Sequence, residues 1–293
     1  MNFEEFKKII LENVKKNFFN AEVETYPILK CNGVKLSGLV VHMDGSNISP
    51  TIYLEYFYDE LKNGTPLECI IQKVISVFDE NKKNPMLLNV SDFFDYEKAK
   101  RNVTYKLINY EKNKELLEDV PHIEFLDLAI VFQYVVAVAG DETATILLKN
   151  DHLKMWGKPM DELFRLAENN TKKFFGFQCA SMKEVLGSIL GPEEEIEMEV
   201  DMYVLTNQIG VYGAITMLYK EKLKKISERL KSNLYILPSS VHEVILIPAD
   251  DMIDPMVLKD MVYQVNRTQL KTEEILSDSV YFFSYEKNEI MLM

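Results

Sequence analysis

Apolar and polar positions along the chain follow two periods, and the changes of period mark the elements. Phe3, Phe6, Ile9, Ile10, Val14 and Phe18 recur at helical spacing and predict an amphipathic first helix. "AEVETYPILK" and "VKLSGLVVHM" flank "CNG", where Asn32-Gly33 tolerates positive φ, so the pair reads as a hairpin. "PTIYLE" (50–55) suits a further strand or a lead into a helix. In "NGTPLECIIQKVISVFDEN", Thr65 is a good N-cap, Pro66 suits N1, and Leu67, Ile70, Ile71, Val74, Ile75 and Phe78 form one stripe, which predicts a helix.

The same order returns twice. "IEFLDLAIVFQYVVAVA" and "ETATILLKN" read as strands around a Gly-Asp turn, followed by a helix opened by "WGKPMDELF". "LYILPSSVHEVILIPADD" reads as two strands, followed by a helix opened by Asp254-Pro255. Three strand–strand–helix units, each with Pro at a helix start, hint at a degenerate internal repeat. Between the second and third units, alternation from Ile196 to Leu205 predicts a strand, and Gly210 and Gly213 lead into a helix ending near Lys231. "SVYFFSYEKNEIMLM" reads as a terminal hairpin turning at Glu286 to Asn288. Short connections between paired strands favour antiparallel ladders, so the fold class is α+β, mainly antiparallel strands with packed helices. The Lys-, Glu- and Asn-rich stretch Tyr96 to Asp119 is the place for a boundary. It sets an N-terminal α+β unit at 1–118 against a C-terminal one at 119–293, the two sharing one core if the domain is single.

Composition narrows the function. With 47% hydrophobic and 27% charged residues in 293, the chain can bury a sizeable core. A net charge of −13 disfavours nucleic acid and anionic membrane as partners. The densest basic run, "KEKLKKISERLK", has apolar residues at helical spacing and reads as the solvated face of a helix. The apolar stretch Phe125 to Gly140 is shorter than the roughly 18–20 residues that span a bilayer, and Asp127 and Gln133 interrupt it, so it reads as a buried strand. The N-terminus lacks the apolar run of a signal peptide, which points to the cytoplasm. Cys31, Cys69 and Cys179 form no CxxC and read as buried free thiols. The histidines have no metal-ligand spacing, and neither glycine-rich phosphate motif occurs, so no metal and no cofactor is expected. "PEEEIEMEVD" (192–201) reads as an acidic loop entering an edge strand. Trp156 reads as a core or cap residue.

"LPSSVHEVILIP" places Ser239, Ser240, His242 and Glu243 together. Read as chemistry, Ser240 attacks, His242 takes its proton and Glu243 assists. Residues two apart on a strand stand roughly 7 Å apart, and no nucleophile elbow surrounds them. Read as structure, Pro238 ends one strand, the serine hydroxyls bond nearby backbone, and His242 and Glu243 open the next. The structural reading is preferred.

"NLYILPSSVHEVILIP", "VNRTQLKTEEILSDSVYFFSYE" and "MYVLTNQIGVYGAITMLY" resemble a family of uncharacterised proteins of gut Firmicutes, notably Lachnospiraceae and their mobile elements. The resemblance implies a bacterial, cytosolic protein and no assigned activity. It draws attention to Asn207, Ser239, Ser240, His242, Glu243, Asn266 and Ser277, which sit in those phrases and could converge into a binding site. The leading expectation is a non-enzymatic binding protein whose partner is another protein. The alternatives are a hydrolase or transferase using Ser240 and His242, and a mobile-element or defence-associated component.

Overall fold

A computed structural model of the chain describes residues 1–42, 49–83, 90–139, 142–191, 198, 200–238, 240–250 and 253–293. The chain forms two compact units, Met1–Lys30 with Val34–Asn89, and Cys31–Gly33 with Val90–Met293.

The first unit opens with helix α1 (Phe3–Asn17). The Asn2 side chain accepts the Glu5 N–H while Glu5 accepts the Asn2 N–H, a reciprocal cap that satisfies two orphan donors. Strands β1 (Glu22–Leu29), β2 (Lys35–His42) and β3 (Thr51–Tyr53) form an antiparallel sheet in that order, with Glu22 opposite His42 and Leu29 opposite Lys35. Helices α2 (Leu54–Lys62) and α3 (Leu67–Lys83) follow. The stretch at 50–55 is thus strand and helix start in one. Phe6, Ile10 and Val14 of α1 pack with Leu39 and Val41 of β2 and with Ile70, Val74 and Phe78 of α3. The period-3.6 stripes and the period-2 face therefore close one small core.

The second unit contains helix α4 (Tyr96–Ala99), strand β4 (Val103–Asn109), helix α5 (Lys114–Leu117), strands β5 (His122–Phe125), β6 (Leu128–Ala139) and β7 (Glu142–Leu147), and helices α6 (Asn150–Trp156) and α7 (Met160–Phe175). Then come β8 (Gln178–Ser181), α8 (Met182–Leu190), β9 (Tyr203–Thr206), α9 (Lys220–Leu230), β10 (Leu234–Leu237), β11 (Val244–Pro248), α10 (Pro255–Thr268), β12 (Tyr281–Ser284) and β13 (Glu289–Leu292). β6 pairs with β4 along one edge and with β5 and then β7 along the other. A second sheet runs β13-β12-β10-β11-β9-β8. Every named strand pair is antiparallel, in keeping with the α+β class.

β10 shows why its sequence is apolar throughout. Leu234 and Ile236 enter the main core with Tyr105, Phe132, Leu246 and Phe283. Tyr235 and Leu237 point the other way and pack with Leu258 and Val262 of α10. Both faces of the strand are covered, so alternation disappears. The helix starts follow their sequence signals. Asp254 accepts the Met256 N–H ahead of Pro255, and α3 begins directly after Pro66. Trp156 is buried, and its indole N–H donates to the Phe93 carbonyl at 2.9 Å.

Several expectations change. The compact units divide at 89/90, and β4, which lies in the stretch read as a boundary, has all seven residues buried and pairs with β6. The stretch read as one strand from Ile123 to Ala139 is a hairpin, β5–β6, turning at Leu126-Asp127 with Leu126 in the left-handed region (φ 57°). The described strand after the acidic stretch is β9, shorter than the alternation suggests. Most of Pro192–Asp201, and the turn at Gly140-Asp141, lie outside the described residues. The three cysteines are free, but Cys69 is exposed and the other two are half-buried, so they are not core thiols. No described helix is long and apolar enough to cross a membrane.

Candidate functional site

The turn after β10 is tied down through its backbone. Ser240 is buried, and its Oγ accepts the His242 N–H at 2.9 Å, the local bond that favours serine in turns. Val241 N–H donates to the Glu274 carbonyl, Ser277 N–H donates to the Pro238 carbonyl, and Ser240 bridges to Ile275. The His242 ring is engaged by Tyr212. Its Nδ1 accepts the Tyr212 N–H at 3.4 Å, and the ring stacks on Tyr212 with centroids 5.9 Å apart. Lys106 Nζ, from β4, lies 4.0 Å from the centroid of the Tyr212 ring. Asn207 is buried and folds its own loop, donating to the Val211 carbonyl and accepting the Ile209 N–H. Glu243 is half-buried just before β11, so His242 and Glu243 precede that strand rather than open it. Ser239 lies outside the described residues.

Asn266 and Ser277 belong to a second network. Asn266 Nδ2 donates to the Ser277 carbonyl and to Asp278 Oδ1, both at 2.8 Å. Ser277 Oγ donates to Asp127 Oδ2 at 2.5 Å, and the hydroxyls of Ser279 and Tyr281 donate to the same carboxylate. The backbone bonds at Pro238 and Val241 join the two networks. Among the described residues, Asn207 and Ser240 make local turn bonds, while Asn266 and Ser277 tie separate chain segments together.

Asp278 titrates in a way that can be followed. Burial alone would raise its carboxyl pKa. The hydrogen bonds from Asn266 and Arg267 and the Lys112 ammonium at 3.3 Å outweigh that, and the carboxyl lies below its ordinary value. A depressed folded-state pKa means that the stabilisation is fully present above the unfolded value of about 3.9 and is lost as pH falls through the folded value. Urea unfolding of Asp278→Asn against wild type should show wild type ahead at pH 7 and the two converging below about pH 4. A gap independent of pH would refute this role.

A different place has room for a ligand. A half-open cavity of about 800 Å³ lies among β4, β5, α7, the start of α9 and the β12–β13 turn. That volume suits a small organic molecule. Its walls are apolar and aromatic, with Phe125, Phe177 and Leu218 beside the stacked pair Tyr105–Phe164, whose centroids are 5.9 Å apart at 13°. Glu168 and Lys172 of α7 pair at 2.9 Å on its rim. Tyr219, the residue before α9, is 4% exposed, and its Oη is buried with no hydrogen-bond partner among the described residues. Asn288 Oδ1 in the same lining is likewise without one. Burial and the nearby Glu168 carboxylate push the Tyr219 phenol well up, so it stays protonated and can donate. Both oxygens are closed to solvent, so they stand behind the cavity wall, and what the cavity offers a ligand is its aromatic and aliphatic faces with the Glu168–Lys172 pair.

Sequence reasoning did not find this cavity. Its lining is drawn from separate stretches between Tyr105 and Asn288, and although Gln208, Leu218 and Tyr219 fall in the phrase "MYVLTNQIGVYGAITMLY", nothing local in that phrase marks them as a site. Among the described residues no group of three or more His, Cys, Asp or Glu could hold a metal ion. No curated protein and no solved structure matches the chain. The family model for a family of unknown function, DUF5688, matches residues 3–285, nearly the whole chain, and the chain belongs to that family.

Proposed function

We propose that this is a non-enzymatic binding protein and that its ligand is a small organic molecule held in the cavity beside Tyr219. The observation that carries the reading is a cavity of about 800 Å³ walled by Phe125, Phe177, Leu218 and the stacked Tyr105–Phe164 pair. Apolar walls supply affinity, and a few placed polar groups supply orientation. Titration with naphthalene, followed by ligand-observed NMR, should show binding to wild type. Ile123→Trp, which fills the cavity from β5, should abolish it. Equal binding by both proteins would refute the assignment of the site.

A protein partner is the second reading. It is favoured by the exposed apolar residues of α10, where Met256 and Val257 are each 63% exposed, next to a second apolar cavity of about 620 Å³. Failure of naphthalene to bind would make that face the better-supported surface. Chemistry at Ser240 with His242 and Glu243 is weaker, because the buried Ser240 hydroxyl is engaged with backbone and the His242 ring faces Tyr212. The resemblance to proteins of gut Firmicutes and their mobile elements supports a bacterial, cytoplasmic setting, which the neighbouring genes would test.

A further inference from the structure

Helix α10 carries more apolar surface than its own core uses. Leu258 and Val262 are buried in one cluster with Tyr235 and Ile247. One position earlier, Val257 and Met261 repeat the same spacing as a second apolar stripe, and they are 63% and 38% exposed. That stripe lines the groove of about 620 Å³, together with Ile247 of β11 and with Met198, Val200 and Met202 from the segment before β9. Three of these are methionines, whose unbranched side chains adapt to the shape of whatever covers them. The groove shares no lining residue with the aromatic cavity, so a partner here is compatible with a ligand there.

Backbone and charge restrict the occupant. The strand in the lining, β11, is interior to its sheet, with β10 on one side and β9 on the other. An extended segment lying on it finds no free strand edge to pair with, whereas a helix brings its backbone hydrogen bonds with it and needs only apolar faces. The surroundings are acidic. Asp254 is in the lining, Asp201 adjoins Met202 and Asp260 adjoins Met261, and all three are exposed. In sequence Glu197 and Glu199 flank Met198, and Pro192–Asp201 carries five glutamates and one aspartate with no lysine or arginine. Against these, α10 sets Lys259 and Arg267, and the Arg267 guanidinium is already bonded to Asp278.

We propose that the groove beside α10 docks a basic amphipathic helix of a partner protein, an inference that rests on reading the α10 face as a protein-binding surface. Apolar residues one turn apart on that helix cover Val257, Met261 and the methionines. Lysines and arginines beside them meet the acidic surroundings, which select the partner by sign.

The test titrates three four-turn helical peptides into the full chain. The first is built of leucine and lysine with the leucines on one face. The second has the same composition with the leucines scattered, and the third keeps the first pattern with glutamate in place of lysine. Each is also titrated into Val257→Glu and Met261→Glu. Val257 is the third residue of α10, where an acid suits the positive helix end, so that variant keeps the helix. Both variants add negative charge, so indiscriminate attraction of a cation would grow in them, whereas docking on an apolar stripe would weaken. The patterned leucine–lysine peptide should bind wild type about tenfold more tightly than either other peptide, and each variant should lose most of that binding. If the glutamate peptide binds best and both variants lose it, the basic class is overturned while the surface stands. If the scattered peptide binds as well as the patterned one, or both variants hold the patterned peptide as wild type does, docking in the groove is refuted. If no peptide binds wild type, the protein-binding reading of this face fails with the inference, and the aromatic cavity is untouched. Sedimentation of the chain alone covers a second copy as the occupant. A dimer that Val257→Glu converts to monomer would overturn the proposal in favour of self-association.

Discussion

Gly213→Ala should destabilise the second unit by about 3 kcal/mol, the upper range for overpacking a core site. Gly213 is buried where the loop after β9 meets the turn after β10. A Cβ at this position would overlap Thr206 Oγ1 and the His242 carbonyl oxygen, and would stand 2.8 Å from the Asn207 N. Thr206 Oγ1 donates to that same carbonyl at 2.8 Å, so the intruding methyl would push apart a bonded pair. Two of the three obstacles are backbone atoms, which cannot swing aside as a flexible side chain can. Thermal unfolding of the variant should fall by roughly 6–12 °C, at about 2–4 °C per kcal/mol for a unit of this size. Gly187→Ala is the matched control. Gly187 lies inside α8 with nothing within 4 Å of the added methyl, and its replacement should raise stability by about 0.5–1 kcal/mol. If both substitutions behave alike, close packing at Gly213 is not what holds the turn.

That close approach also explains how much of the protein can be read from its residues. Asn32-Gly33 and Asp254-Pro255 announce a turn and a helix start, because local backbone chemistry alone decides such positions. The first helix is legible because one face is buried and the other wet. β4 is not legible, although it is among the most buried strands. Val103, Tyr105 and Leu107 face the main core and alternate with Thr104 and Lys106, but the alternation stops after five residues, because Ile108 packs in a separate cluster with Leu117 and Val131. Its Thr104, Lys106 and Asn109 then mimic a polar linker. They are covered only because other segments lie over them, as Asn109 Nδ2 shows by donating to the Leu276 carbonyl. The β5–β6 turn is hidden for a similar reason, since a leucine in the left-handed region is a poor turn signal. The cavity lies furthest from the sequence. Tyr105, Phe164, Tyr219 and Asn288 meet through tertiary contacts, and no local pattern can announce that a hydroxyl will be left without a partner. The serine–histidine phrase has the opposite fault. It is conspicuous as a string, and its bonds are those of a turn.

Asp127→Ala should cost a further amount of the same order, about 3 kcal/mol, through a different mechanism. The carboxylate occupies the turn between β5 and β6, and it accepts from Ser277 Oγ and Tyr281 Oη, each at 2.5 Å, and from Ser279 Oγ at 3.0 Å. Ser277 and Tyr281 are 0% exposed, so water cannot replace the lost acceptor without opening the fold. Hydrogen bonds to a charged acceptor contribute more than neutral ones, and hydroxyls left unpaired in a core carry their full desolvation cost. The spacing of the donors follows from the chain. Positions 277, 279 and 281 are two apart and present their hydroxyls to one carboxylate as the segment runs into β12. Removing one donor should therefore hurt less than removing the acceptor, with Tyr281→Phe costing about 1–1.5 kcal/mol. In the double variant Asp127→Ala/Tyr281→Phe, the second change deletes a hydroxyl that the first has already orphaned. The combined loss should fall short of the sum by about 1 kcal/mol or more. Strict additivity in urea unfolding would mean that the Asp127–Tyr281 bond is not a coupled contact. The phrase "LSDSVYFF" would then need another physical reason for its alternating hydroxyls.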